Sequence, residues 1–455
     1  MGLTFMSTDD FDWLEENQNI THVSVGLCDL NGVVRGKRIP VEQAKKILEG
    51  GLKFPLSVAT IDVWGEDLHG NKYTLKNGDQ DGICQYTGRG VLPVGWLSNP
   101  SAFVPISLLG EDGKPYEAES RYALSLLVDK FNARGLRPVV AAELEFFLYD
   151  LSSDEPRAIS SPITRRHFDT ADLMSVDQLD QLDLFLSDLH SACEEQEIAA
   201  DTMVSENAAS QYEVNLLHVD DPVRAADDTV LFKRLIRGVA RKHGFGATFM
   251  AKPYGDQAGN SMHVHFSLID SDGNNIFNDG RSEGSDTLRH AVGGLLRRLG
   301  ETTLVFAPHF NSYKRLRPNS LAPINITWGY ENRTGAIRIP DSAPQARRIE
   351  HRVAGADANP YLVLTAILGA ALEGIDEKLN PGKPIDGWGY TESAETKVIP
   401  TDWREAIELF DKSEFTRKVF PEMLHTLLVG VKKYELNKFA EKITEFEYKS
   451  YLDTF

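Results

Sequence analysis

Apolar and polar positions change their rhythm along the chain. Residues 21–29 (THVSVGLCD) alternate in part and predict a strand. An Asn31-Gly32 turn follows, and VVRGKRI predicts its partner strand. Pro40 then opens a short helix, VEQAKKILEG, stopped at Gly50-Gly51. SVATIDVWG is expected to form another strand, and residues 66–115, rich in Gly, Asp and Asn, are expected to be mostly loop. Near residue 116 the pattern changes. AESRYALSLLVDKFNARG, VDQLDQLDLFLSDLHSACEE, TVLFKRLIRGVARKHG and YLVLTAILGAALEGI all carry helical spacing, with strands between them. The expectation is therefore an α+β chain with a small β-rich domain over residues 1–115 and a larger domain over residues 116–455.

Composition narrows the function. The 455 residues carry 48 Lys+Arg against 67 Asp+Glu, a net charge of −19, which disfavours a general nucleic-acid binder. The hydrophobic share of 42% and charged share of 25% are those of a globular chain. Cys28, Cys84 and Cys193 are widely spaced, giving neither a disulfide framework nor a zinc pattern, which fits a reducing compartment. The N-terminal MGLTFMSTDDFDWLEE is acidic and unlike a signal peptide. The longest apolar run, Tyr361 to Leu372, is too short to span a membrane. A cytoplasmic protein with no membrane partner is expected.

Four segments concentrate chemistry. In VVAAELEFFLYD, read as a strand, Glu143 and Glu145 share a face, where two carboxylates repel unless a cation lies between them. In SENAASQYEVNLL, Gln211 and Glu213 share a face, with Glu206 just before. In SMHVHFSLID, His263, His265 and Ser267 share one face, while Met262, Val264, Phe266 and Leu268 take the other. The preceding YGDQAGN loop offers Gly255 and Gly259 for close backbone approach to a ligand. Finally, residues 311–352 thread arginines among Ile, Ala and Pro, and Arg348, Glu350 and Arg352 fall on one strand face. Each segment alone suits an ordinary solvated edge. Together they offer five glutamates and a histidine for hard divalent cations, plus arginines for phosphate and carboxylate, as phosphoryl transfer from ATP needs. Neither a P-loop nor a kinase signature is present. A zinc hydrolase on His263-x-His265 is disfavoured by the many oxygen ligands and the lack of further partner histidines.

The order DLNGVVRGKRIP, AELEFFLYD, SENAASQYEV, KP followed by GNSMHVHFSL, NSYKRL, NRTGAIRIP, ARRIEHR, ANPYL and EKITEFEYKSYLDTF resembles the bacterial-type glutamine synthetase family over almost the whole chain. The resemblance implies an N-terminal β-grasp domain and a C-terminal catalytic domain on a curved antiparallel sheet. It also implies homo-oligomeric rings, usually a dodecamer of two hexamers, with each site between neighbouring subunits. It further implies that Glu145, Glu206 and Glu213 ligate one Mg or Mn ion, and Glu143, His263 and Glu350 a second. By the same carry-over, His265, Ser267, Arg333 and Arg338 face ATP, Gly259, Arg315 and Arg352 hold L-glutamate, and Asp62 assists from a neighbouring subunit. The implied chemistry forms a γ-glutamyl phosphate, which an amine then attacks.

The departures bear on the amine. Ammonia-using members carry a glutamate just before the Ala-Pro of the flap; in Arg317-Pro318-Asn319-Ser320-Leu321-Ala322-Pro323 that position is Leu321. Their Phe-Asp-Gly-Ser-Ser is here Ile61-Asp62-Val63-Trp64-Gly65, their Asn-Gly is Ala258-Gly259, and the usual lysine before the Arg-Arg-x-Glu motif is Gln345. Tyr390 lies near the position of a tyrosine that some members adenylylate, but its flanks differ, so that regulation is not expected. These changes resemble the branch of γ-glutamylputrescine and polyamine synthetases and point to a small di- or polyamine. Ordinary glutamine synthetase and a non-catalytic relative are the rival expectations.

Overall fold

In a computed structural model, residues 9–47, 49–68, 73, 78–153, 155–318, 320–390 and 397–455 are described. The first sheet holds β1 (His22–Cys28), β2 (Val34–Pro40), β3 (Lys53–Pro55), β4 (Asp81–Tyr86), β5 (Leu92–Pro93) and β6 (Ala102–Leu109). Its order is β2-β1-β6-β4-β3, with β5 on β6, and β1 and β6 run parallel at its centre. This parallel pairing of an early and a late strand, flanked by antiparallel neighbours, is the β-grasp arrangement. Val23, Val25, Leu27, Val104, Ile106 and Leu108 supply its core.

Two expectations fail in this region. SVATIDVWG is not a strand: Leu56–Ala59 is a 3₁₀ turn and the chain then loops. The Thr60 hydroxyl donates to the Ser57 carbonyl, and the Asp62 carboxylate accepts from the Trp64 and Glu66 amides, each at 2.9 Å for the two amides. Such local side-chain bonds compete with a strand ladder. The stretch 66–115 is not mostly loop either, since it supplies β4, β5 and β6. Its glycines and aspartates mark the turns, while AFVPISLL alternates enough to bury one face. The first 8 residues of MGLTFMSTDDFDWLEE lie outside the described set, and Asp9–Glu16 is helical.

The second sheet comprises β7 (Arg137–Asp150), β8 (Ala200–Ser205), β9 (Gln211–Leu216), β10 (Phe245–Thr248), β11 (Met262–Ile269), β12 (Trp328–Tyr330), β13 (Ile337–Ile339) and β14 (Ile349–His351). Its order is β12-β13-β14-β11-β7-β9-β8, with β10 on β7, and every pairing is antiparallel except β12 with β13. Helices cover its apolar face. The predicted helix over 176–195 is broken into Val176–Asp180 and Asp183–Glu195, because the Ser175 side chain caps a first short turn that ends before Leu182 packs inward. The helix Pro360–Asp376 starts under an Asn359 cap and is buried along nearly its whole length. It packs closely on Asp286–Phe306 at Gly294, where a Cβ would lie 2.0 Å from the Ala370 carbonyl oxygen. Cys28, Cys84 and Cys193 are buried free thiols. Among the described residues no helix is long and apolar enough to cross a membrane.

Candidate active site

The register of the second sheet assembles the polar faces. In β7 the leucine and phenylalanine positions Leu144, Phe146 and Leu148 enter the core, so Glu143 and Glu145 project from the opposite face. In β11 the same alternation buries Met262, Val264, Phe266 and Leu268 in the core and turns His263, His265 and Ser267 the other way. Strand pairing sets Glu143 opposite His263, Glu145 opposite Glu213, His265 opposite Glu350, and Glu350 opposite Arg338. One continuous polar row thus crosses five strands. His263 and His265 are 7% and 4% exposed, so this strand is not an ordinary solvated edge.

Hydrogen bonds knit the row. Glu143 accepts from His263 Nδ1 at 3.0 Å and from His265 Nε2 at 2.8 Å. Arg348 Nε donates to His265 Nδ1 at 3.1 Å, which fixes the proton of that ring on Nε2. Glu350, fully buried, accepts from Arg338 Nη1 at 2.8 Å and from Arg352. Glu145 accepts the Ser261 amide at 2.7 Å and a weaker bond from Gln211 Nε2 at 3.4 Å. Gln211 also donates to the Gly259 carbonyl at 3.0 Å and to the Asn260 side chain at 3.1 Å, tying the glycine loop to the carboxylates. Arg315, 1% exposed, donates to the Ser261 hydroxyl at 3.2 Å and to the Val353 carbonyl, while its Nε has no partner.

The charges are poised for a cation. Two groups bring their donor atoms within 4.8 Å of one another: Glu143, Glu213 and His263, and Glu143, His265 and Glu350. Burial, then repulsion from Glu143, Glu145 and Glu206, pushes Glu213 up to about 9. Burial and the Glu206 charge push Glu145 up to about 7. Burial also acts to raise Glu143, but the hydrogen bonds from His263 and His265 overturn it and hold this carboxyl well below the usual range. Crowded carboxylates that must share protons in the absence of a cation are the donor set of a hard divalent ion.

The family model for the glutamine synthetase catalytic domain matches residues 117–451. The chain belongs to the glutamine synthetase family. It is 37% identical over 445 residues to the γ-glutamylputrescine synthetase PuuA of Escherichia coli, covering 96% of this chain and 92% of that one. It is 30% identical to the glutamate–isopropylamine ligase of a Pseudomonas species, with 96% of each chain covered. A solved structure, apo GmaS without ligand, superposes with a TM-score of 0.84 at 27% identity, covering 97% and 98% of the two chains. This glutamine synthetase family member is a ligase that joins carbon to nitrogen at the expense of ATP, and the family works with divalent metal ions.

The structure gathers most of the sequence-derived residues and leaves some apart. Glu143, Glu213, Glu350, His263, His265, Arg338 and Arg352 meet in the row. Glu145 and Glu206 lie outside the two compact groups, although Glu206 acts on Glu145 and Glu213 by charge; Glu206 itself accepts from Asn207. Ser267 follows His265 on the same buried face. Arg333 is exposed in the turn between β12 and β13. Asp62 makes its hydrogen bonds inside its own loop, and its buried Oδ2 has no partner. Asn319 of the flap lies outside the described residues. Sequence reasoning placed Gln211 and Arg348 beside candidate ligands but gave neither a specific role; the structure has Gln211 tying the glycine loop to Glu145, and Arg348, just before β14, donating to His265.

The raised carboxylates make a pH prediction. A carboxyl titrating above neutrality holds its proton at pH 7, and an ion displaces that proton when it binds. Addition of Mg²⁺ or Mn²⁺ at pH 7 is therefore expected to release protons, and apparent affinity is expected to climb with pH through about 9, where Glu213 gives up its proton. Titration calorimetry in buffers of different ionisation enthalpy checks this; heats independent of the buffer would contradict it.

Proposed function

We propose that the chain ligates an alkylamine, a di- or polyamine such as putrescine, to the γ-carboxylate of L-glutamate in preference to ammonia. The observation that carries the reading is Leu321, a half-exposed apolar side chain where ammonia-using members carry a flap glutamate. A carboxylate there would stabilise an ammonium ion and help take its proton. Leucine offers neither charge nor base, but it packs well on a methylene stem, at roughly 0.8 kcal/mol per buried CH₂. The resemblance of the chain to two ligases named for amines supports the same reading.

In this reading Glu145, Glu206 and Glu213 would hold one Mg²⁺ or Mn²⁺ ion and Glu143, His263 and Glu350 a second; Glu143, Glu213 and His263 already bring donor atoms within 4.8 Å of one another. Bound ions supply charge neutralisation between phosphate oxygens. Arg338 and Arg333 neutralise the transferred phosphoryl group of ATP, with His265 and Ser267 lining the nucleotide side. Gly259, Arg315 and Arg352 hold L-glutamate. Its γ-carboxylate oxygen takes the γ-phosphoryl group, giving an acyl phosphate and ADP. The amine nitrogen, having lost its ammonium proton, bonds to the acyl carbon, the carbon–oxygen bond to phosphate breaks, and a second proton leaves the nitrogen. Asp62 is carried over from the family resemblance as the residue offered to a neighbouring subunit's site; it is 1% exposed in this structure, so its loop would have to open to deliver it. We further propose a boundary near residue 115 between the two domains, a ring-shaped dodecamer and a cytoplasmic location.

A phosphate-release assay with glutamate, ATP and a panel of ammonium, putrescine, isopropylamine and ethanolamine tests the reading. Putrescine or another alkylamine is expected to give kcat/KM at least about tenfold above ammonium, the effect of roughly two buried methylenes. Clear preference for ammonium would sink it.

A further inference from the structure

One contact joins the flap to a distant segment. The Tyr390 hydroxyl donates to the Leu321 carbonyl at 2.7 Å, across 69 residues of sequence. Leu321 has a left-handed backbone, φ +64°, which a leucine adopts only when its surroundings hold it there. The segment bearing Tyr390 is itself anchored. The Gly389 amide donates to the Thr334 hydroxyl at 2.7 Å, Asn332 donates to the Gly387 carbonyl at 2.7 Å, and Asn325 donates to the Gly389 carbonyl at 2.8 Å. Trp388 packs edge-on to the Tyr390 ring, with centroids 5.4 Å apart. The charges of Arg352, Arg315 and Glu145 act on the phenol, which puts the latch in the same region as the residues proposed to bind glutamate.

We propose that Tyr390 is a positioning residue for amine selection: its hydroxyl fixes the flap backbone so that the Leu321 side chain closes the amine entrance against water and packs on an alkyl stem. The inference rests on the alkylamine reading. Without the latch, Leu321 relaxes from its left-handed conformation and the apolar wall is lost. Water then competes for the acyl phosphate. Its oxygen bonds to the acyl carbon, the bond to phosphate breaks, and glutamate and phosphate form with ATP consumed and no amide made.

The test is Tyr390→Phe in the full chain, which removes the donor and keeps the ring. KM for putrescine is expected to rise roughly fivefold, as for one lost hydrogen bond, and phosphate released per amide formed to exceed one. KM for glutamate and for ATP is expected to stay unchanged, which general damage to the fold would not allow. Leu321→Gly is expected to raise the amine KM by itself, and Tyr390→Phe to add nothing in that background, because glycine needs no help at φ +64° and has no side chain to place. An unchanged amine KM and phosphate-to-amide ratio in Tyr390→Phe would overturn the latch, as would fully additive effects in the double variant. If Tyr390→Phe is insoluble, an unchanged amine KM in Leu321→Gly overturns it instead. Failure of the alkylamine reading shows separately, as wild-type preference for ammonium; the latch is then judged by the phosphate-to-amide ratio with ammonium.

Discussion

Glu143→Gln is expected to lower amide formation by roughly a thousandfold with little change in fold. Glu143 is the one carboxylate common to both groups of candidate metal ligands. Its two oxygens accept from two different imidazoles. Glutamine fills the same volume but turns one acceptor into an NH₂ donor facing a ring N–H, and it removes the charge that both groups share. Removing a negative neighbour should also let Glu213 ionise more readily, since Glu143 is the largest charge acting to raise it. Two measurements separate these effects. Steady-state turnover at saturating Mg²⁺ reads the catalytic loss, and calorimetric titration reads the loss of ion affinity. Thermal unfolding should show that the chain still folds. Retention of more than about a tenth of wild-type turnover would contradict the assignment.

Gly259→Ala is expected to raise KM for glutamate by roughly ten- to a hundredfold and to cost about 1–3 kcal/mol of stability. A Cβ at this position would lie 2.4 Å from the Ala251 carbonyl oxygen and 2.7 Å from Cγ of Arg315. Neither neighbour yields easily. The Ala251 carbonyl accepts the Asn260 amide, and Arg315 is buried with its guanidinium held by Ser261 and Val353. The methyl group therefore displaces the arginine stem or the loop, and the guanidinium moves with it. Putrescine KM should change far less under the proposed reading, in which the flap carries that selection. A glutamate KM equal to that of the wild type would show that Arg315 does not depend on this packing.

The strands bearing Glu143, His263 and Glu213 could be read from sequence because side chains alternate in a strand and one face of each was visibly apolar. Recognition of ordered motifs then supplied roles that alternation cannot. The failures have physical causes. SVATIDVWG looks strand-like by composition, but Asp62 and Thr60 satisfy the backbone locally. The 66–115 stretch looks like loop because its turns outweigh its short strands in composition.

By itself, then, the sequence determined the two structural regimes, the polar face of each key strand, the family and the apolar residue on the flap. Only the tertiary structure decided which carboxylate faces which histidine, because register depends on pairing between strands far apart in the chain. It alone brought Arg348 to His265 across 83 residues and Tyr390 to Leu321 across 69. It also decided how protons are shared among the crowded glutamates, since acidity there follows from burial and neighbouring charge, and those exist only once the chain has folded.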